Sequence, residues 1–229
     1  MKDFSKHFSQ IEKKIFDELD VILSHRSDRS LKDDSSYVTK ADFLVQHIIE
    51  EYFNNNFDDF IFVSEEKINE TIDLSQEKMI VVLDPIDGTE NFTSGLPEWG
   101  LGLTIYIGNI HQASFIFIPQ LKISLQTGQR IEYFQSRIDG LSSSLSKEGI
   151  ASMPISKEYR IMGCSMYNMI NVIKGSYNSF TNINGVNSWD ILPGINLALE
   201  HNLEVKINEK TYKGEFLQPN QKYSISITR

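Results

Sequence analysis

Two carboxylates stand out in the stretch VVLDPIDGTENFTSGLPEWG, residues 81–100: Asp84 and Asp87, separated by Pro85 and Ile86 and followed by Gly88 and Thr89. Pro85 has a fixed φ and no N–H, so the aliphatic run ending at Leu83 is expected to stop there in a stiff turn, with both aspartates facing outward. Gly88 permits a sharp backbone turn, and Thr89 is placed to cap a short helix through Phe92 that Gly95 and Pro97 end. Free amides at such a helix start attract a phosphate-like anion. Two carboxylates beside that anion repel each other, and repel it, unless cations lie between them; Mg²⁺ is a hard divalent ion suited to such oxygens. Taken alone, the stretch reads equally well as a solvated acidic turn with a helix cap.

Three other motifs fail on spacing. A calcium loop alternates its acids at every second position, and Pro85, Ile86 and Gly88 interrupt that alternation. A Walker loop ends in Gly-Lys-Ser/Thr, which is absent here. The Asp-x-Asp-Gly-Thr motif of haloacid dehalogenase-type phosphatases begins with a nucleophilic aspartate, and Pro85 stands in its place.

The elements that must position these acids follow from periodicity. Phe4, Phe8, Ile11, Ile15, Leu19 and Ile22 recur at helical spacing and predict an amphipathic helix over about residues 3–24. SHRSDRSLKDDSSYVTK, residues 24–40, loses that periodicity and reads as an exposed, mobile loop long enough to cover something. ADFLVQHIIEEYFNNNF restores a helix, on which His47 has no clustered partner. FIFVSEE and KMIVVLDP read as buried strands, each ending in acid, so adjacent strands are expected to deliver Glu65, Glu66 and Asp84 at one sheet edge.

From Trp99 the pattern becomes antiparallel hairpins, with a turn at Gly108-Asn109. The polar SRIDGLSSSLSKEG reads as a connection to a second half. That half contains a strand at YRIMGC, helices near Ser165–Lys174 and Ile191–Glu200, and strands at LEVKIN and YSISI. No internal repeat is evident, and packed α/β layers are the simplest architecture. Cys164 and Trp189 read as core residues.

DPIDGTENF, together with SEE upstream and WDILPG downstream in that order, resembles the inositol monophosphatase family of metal-dependent sugar phosphatases. The resemblance runs from about Val38, in VTKAD, to about Ile195, and is weaker in RIMGCSMYNMINVIKGSYNSF. It implies an α+β sandwich, the layered αβαβα fold, with residues 1–155 forming a metal-binding part: a mostly antiparallel sheet plus two helices. Residues 156–229 would form a C-terminal α/β part of the same unit.

The resemblance also implies about two or three Mg²⁺ ions per subunit. One site would use Glu65, Asp84 and the carbonyl of Ile86, and a second Asp84, Asp87 and Asp190, with Asp84 bridging ions about 3.5–4 Å apart. Glu66 would support the ligands. Thr89 would orient an attacking water, and Asp42, in TKAD, would hold that threonine and accept a proton. Asp87, Gly88, Thr89 and Asp190 would contact substrate. The implied reaction is in-line hydrolysis of a phosphate monoester without a covalent intermediate, in a lithium-sensitive homodimer.

The sequence departs from the family pattern at three places. Ser64 replaces the glycine before the two acids, Ile183 stands where many relatives carry a substrate-contacting acid, and LALEHNLEVKIN lacks an Ala-Gly-Gly turn. Inositol monophosphate is the default substrate, with fructose 1,6-bisphosphate, NADP or a nucleotide 3′-phosphate as alternatives. A regulatory binding protein that keeps the site for folding is a reading of another class.

Composition bounds the partners. The formal net charge of −9 and pI near 5.1 speak against nucleic acid and anionic membrane surfaces. A single cysteine allows no internal disulfide, the N-terminus lacks a signal-like pattern, and no apolar run approaches membrane-spanning length. A cytoplasmic location is expected.

Overall fold

The computed structural model describes residues 3–32, 37–67, 70–75, 77–151 and 153–229. The expected first helix is present as two, α1 (Ser5–Asp17) and α2 (Leu19–Ser24), parted at Glu18. Phe8, Ile11, Ile15 and Ile22 are buried, as the periodicity predicts. The segment read as a mobile loop instead contains β1 (Arg29–Leu31) and β2 (Tyr37–Thr39), paired antiparallel with Arg29 opposite Thr39. Three-residue strands, one of them exposed along its length, leave no alternation to read. Residues 33–36 of that segment lie outside the described residues.

The chain continues through α3 (Lys40–Asn56), β3 (Phe60–Ser64), β4 (Met79–Asp87), α4 (Thr89–Thr93), β5 (Gly100–Ile107), β6 (Ile110–Ile118) and β7 (Ile123–Gln126). Then come β8 (Ile138–Leu141), α5 (Lys147–Ala151), β9 (Glu158–Ile161), α6 (Ser165–Ile173), β10 (Ser179–Val186) and α7 (Ser188–Glu200). Strands β11 (Glu204–Ile207), β12 (Lys210–Thr211) and β13 (Tyr223–Thr228) close it.

A five-stranded sheet has the order β3-β4-β5-β6-β7, parallel between β3 and β4 and antiparallel elsewhere. Successive side chains of β4 alternate between its faces. Val81 and Leu83 join a core with Phe8, Ile15, Val45 and Phe53 from α1 and α3, while Ile80 and Val82 join Met169, Ile191 and Ile195 from α6 and α7. A strand buried on both sides reads as an unbroken apolar run for this reason.

A six-stranded sheet, order β12-β11-β13-β10-β8-β9, packs against the other side of α6 and α7. In β13, Tyr223, Ile225 and Ile227 are buried while Ser224, Ser226 and Thr228 are half-buried, which leaves the second face polar. The mixed sheets and intervening helices form the layered α+β architecture that the resemblance implies.

Two further sequence expectations are corrected. Strand β4 does not stop before Pro85 but runs to Asp87, with a register slip: Asp84 lies opposite Gly102 and Asp87 opposite Gly100. Pro85 falls within this bulge, where its missing N–H removes no ladder bond. The supposed connection SRIDGLSSSLSKEG contains β8, which pairs parallel with both β9 and β10. Its buried Asp139 disguised the strand by being polar; that carboxylate accepts bonds from Lys157, Asn178 and Ser179.

Candidate active site

Parallel pairing of β3 and β4 sets Ser64 opposite Leu83, so Glu65 and Asp84 emerge at one sheet edge, as the two acid-ending strands predicted. The β4 bulge adds Asp87 three residues on. Asp190 enters from the other half of the chain, in the first turn of α7, where its Oδ2 accepts the Asn187 N–H at 2.9 Å. Asp42 occupies the same capping position in α3 and accepts from the Thr39 N–H (2.8 Å) and hydroxyl (2.6 Å). Each helix thus begins with an acid fixed by its own cap.

These acids press on one another. Burial, then the charges of Asp190, Asp87 and Glu65, hold the Asp84 carboxyl well above the ordinary carboxylate range. Burial and Asp190 raise Glu65 to about 7, and burial and Asp87 raise Asp190 to about 6. Asp87 is also pushed up by burial, to about 6; N–H groups of Met166 and Ser165 and the Cys164 thiol oppose the shift. Burial raises Asp42 to about 6 against its two bonds from Thr39, with Glu65 and Glu66 adding to the rise.

Asp84 Oδ1 accepts the Ile86 N–H at 3.1 Å, while its buried Oδ2 has no partner. The neighbouring Asp190 charge adds to the rise in the Asp84 pKa. Thr89 does not cap α4 as expected: Gly88 is the N-cap, with no side-chain bond, and the hydroxyl of Thr89, the first helical residue, donates instead to the Ile86 carbonyl at 3.0 Å. Among the described residues no hydrogen bond joins Asp42 to Thr89, so the role the resemblance implies for that pair is not expressed as a contact.

Gly88 has a left-handed φ of 82°, and a Cβ there would lie 2.9 Å from the Cys164 Cβ. This close approach docks the segment before α6 onto the β4–α4 turn. Asn91 fastens the same joint, donating to the carbonyls of Met162 (2.6 Å) and Glu98 (2.7 Å). Asp87 Oδ2 accepts the Met166 N–H at 2.5 Å and the Cys164 thiol at 3.1 Å. Burial and the Asp87 charge raise the thiol pKa, which keeps it a proton donor.

Lys32 was not foreseen. Its ammonium lies 2.6 Å from Glu65 Oε1 and also contacts Glu66 Oε1. Burial opposes its charge, but the two glutamates outweigh that and raise its pKa. A lysine inside a polar, aperiodic run carries no spacing that would have singled it out. Trp189 is buried in the core as expected, and Ile183 is 61% exposed on β10.

Among the described residues, no three His, Cys, Asp or Glu side chains are already converged as a metal-holding group. The donor chemistry nevertheless fits divalent cations. The acids carry an orphaned buried oxygen, mutually raised pKa values and an ammonium seated on Glu65 and Glu66, all marks of uncompensated negative charge.

The family model of the inositol monophosphatase family matches residues 2–135, more than half of the chain. The chain belongs to the inositol monophosphatase family, a family of phosphatases. It is 23% identical over 189 residues to the Nus factor SuhB of Pasteurella multocida, covering 72% of this chain and 69% of that one. A calcium-bound IMPase family protein from Staphylococcus aureus superposes with a TM-score of 0.81 at 17% identity, over 98% of this chain and 89% of that one. A dual-specific IMPase/NADP phosphatase bound with D-inositol-1-phosphate gives 0.80 at 17% identity, over 98% and 90%. At such identities the two structures speak for the fold. Among the described residues no helix is long and apolar enough to cross a membrane.

Proposed function

We propose that this chain is a Mg²⁺-dependent phosphate monoester hydrolase acting on a small phosphorylated polyol or nucleotide. The observation that carries the reading is the gathering of the buried acids Asp84, Asp87, Asp190 and Glu65, whose pKa values are all raised by burial, with the charges of their acidic neighbours adding to the rise. Glu65, Asp84 and the Ile86 carbonyl would hold one ion, and Asp84, Asp87 and Asp190 a second, with Glu66 backing Glu65. Bound there, the ions supply a nucleophile at neutral pH and neutralise charge on the leaving oxygen.

The remaining steps belong to the chain's own groups. Thr89, whose hydroxyl now bonds the Ile86 carbonyl, would turn to orient the attacking water, and Asp42 would accept its proton. The amides of Gly88 and Thr89 would hold the phosphate. In this reading residues 1–155 carry most ligands, residues 156–229 supply Asp190, and the protein works in the cytoplasm as a homodimer.

Inositol phosphate and NADP lead the candidate substrates because a solved protein of the same fold is described as specific for both. The name Nus factor borne by a relative favours a second reading, a regulatory binding protein, and the exposed Ile183 suits it. Phosphate release from inositol 1-phosphate, fructose 1,6-bisphosphate, NADP and a nucleotide 3′-phosphate, with Mg²⁺ or EDTA, separates the two. Mg²⁺-dependent release lost in Asp87→Asn supports the hydrolase. Silence across the panel with Mg²⁺ present, alongside a stable protein partner in a pull-down, supports the regulator.

A further inference from the structure

The lone cysteine reads from sequence as packing, yet its surroundings give it a task. Cys164 is 1% exposed and immediately precedes α6, where its sulfur accepts the Tyr167 N–H at 3.4 Å. With a sulfur lone pair directed to the helix, the S–H is left to Asp87 Oδ2, 3.1 Å away. Met166 N–H reaches the same oxygen at 2.5 Å, and Ser165 N–H adds to the carboxylate. The start of α6 therefore grips Asp87 through two backbone donors and one side-chain donor.

The grip crosses between the two halves of the chain. Asp87 ends β4, while Cys164 lies 77 residues further along. Gly88 beside Asp87 packs so near Cys164 that a Cβ added to it would lie 2.9 Å from the Cys164 Cβ. Asn91 ties Met162 to the same turn. Oxygen placement in a cation site has to hold to within about 0.5 Å, and a carboxylate bonded by fixed donors keeps that placement.

We propose that Cys164 is a positioning residue: its thiol orients the Asp87 carboxylate for a divalent cation. The proposal rests on the hydrolase reading above, since it concerns a ligand assigned there. A thiol is a weak donor to neutral groups but is strengthened by a charged, buried acceptor. Serine keeps a donor at this place, whereas alanine and valine lack one and differ from each other in volume.

The test is calorimetric titration of Mn²⁺ into the full chain and its Cys164→Ser, Cys164→Ala and Cys164→Val variants, with melting curves in EDTA to establish folding. Removing one charge-assisted bond is expected to weaken cation affinity about tenfold in both Ala and Val. Serine is expected to restore it to within about twofold of the original. Should Ala fail to fold, Val against Ser still decides. Val binding as tightly as the unaltered chain, or Ser no better than Ala, overturns the proposal and leaves the hydrolase reading standing. An unaltered chain that takes up no Mn²⁺ overturns both.

Discussion

The Lys32 ammonium lies 2.6 Å from Glu65 Oε1, so the β1–β2 hairpin lends the acid-lined end of β3 a tethered positive charge. Lys32, Glu65 and Glu66 are only 23%, 21% and 12% exposed, which makes this pairing stronger than an ordinary surface ion pair. Lys32→Met is expected to cost about 1–2 kcal/mol in EDTA, lowering Tm by roughly 3–6 °C. Mg²⁺ is expected to narrow the gap by neutralising the same glutamates. An unchanged Tm in EDTA, or a deficit indifferent to Mg²⁺, would count against this role.

The raised acids set a pH dependence. A carboxyl whose folded pKa exceeds its unfolded value binds more protons when folded, so the stability it confers is full below the unfolded value and lost as pH rises through the folded one. With Asp87 and Asp190 raised to about 6 and Glu65 to about 7, that loss spans roughly pH 4–7. Asp84→Asn removes a mutually repelling charge from this cluster. In EDTA at pH 7.5 it is expected to be more stable than the original by about 1–3 kcal/mol, an advantage that shrinks toward pH 4. Mg²⁺ should reverse the order. A variant less stable in EDTA at pH 7.5 would refute the repulsion.

Thr89 separates chemistry from stability. The residue is half-buried and, among the described residues, its hydroxyl bonds only the Ile86 carbonyl, so Thr89→Ala is expected to shift Tm by less than about 2 °C. If it orients the water, kcat falls about 10²-fold, and Thr89→Ser recovers most of it. Asp42→Asn is expected to lower kcat and also to cost about 1 kcal/mol, because Asp42 caps α3. Full activity in Thr89→Ala would remove the residue from the mechanism.

Gly88→Ala tests the joint between the two halves. The new Cβ meets Cys164 at 2.9 Å and the Gly163 carbonyl oxygen at 3.2 Å, at a φ of 82°. A loss of about 2–3 kcal/mol in denaturant unfolding is expected. A cost below about 0.5 kcal/mol would mean that the two backbones separate easily.

The placement of the acids was legible because their neighbours are restrictive: Glu65, Asp84 and Asp87 follow or end strands that carry apolar runs, and Asp190 stands in a short motif that opens α7. Pro85 misled because a proline ends a regular strand yet suits a bulge, and sequence alone does not reveal a bulge. Asp139 hid β8 because a buried polar residue is recognisable only beside its partners Lys157, Asn178 and Ser179. Lys32 and Cys164 escaped for another reason. Each acts through a contact with a residue more than 30 positions away, Glu65 and Asp87, and neither pairing leaves a local period or spacing.

Anomalous diffraction at the manganese edge from crystals soaked in MnCl₂ tests the cation cluster most directly. The expected result is a peak bounded by Asp84, Asp87 and Asp190, with a second beside Glu65 and the Ile86 carbonyl and the Lys32 ammonium moved off Glu65. A fully soaked crystal with no peak among these carboxylates, and with Lys32 still seated on Glu65, would contradict it.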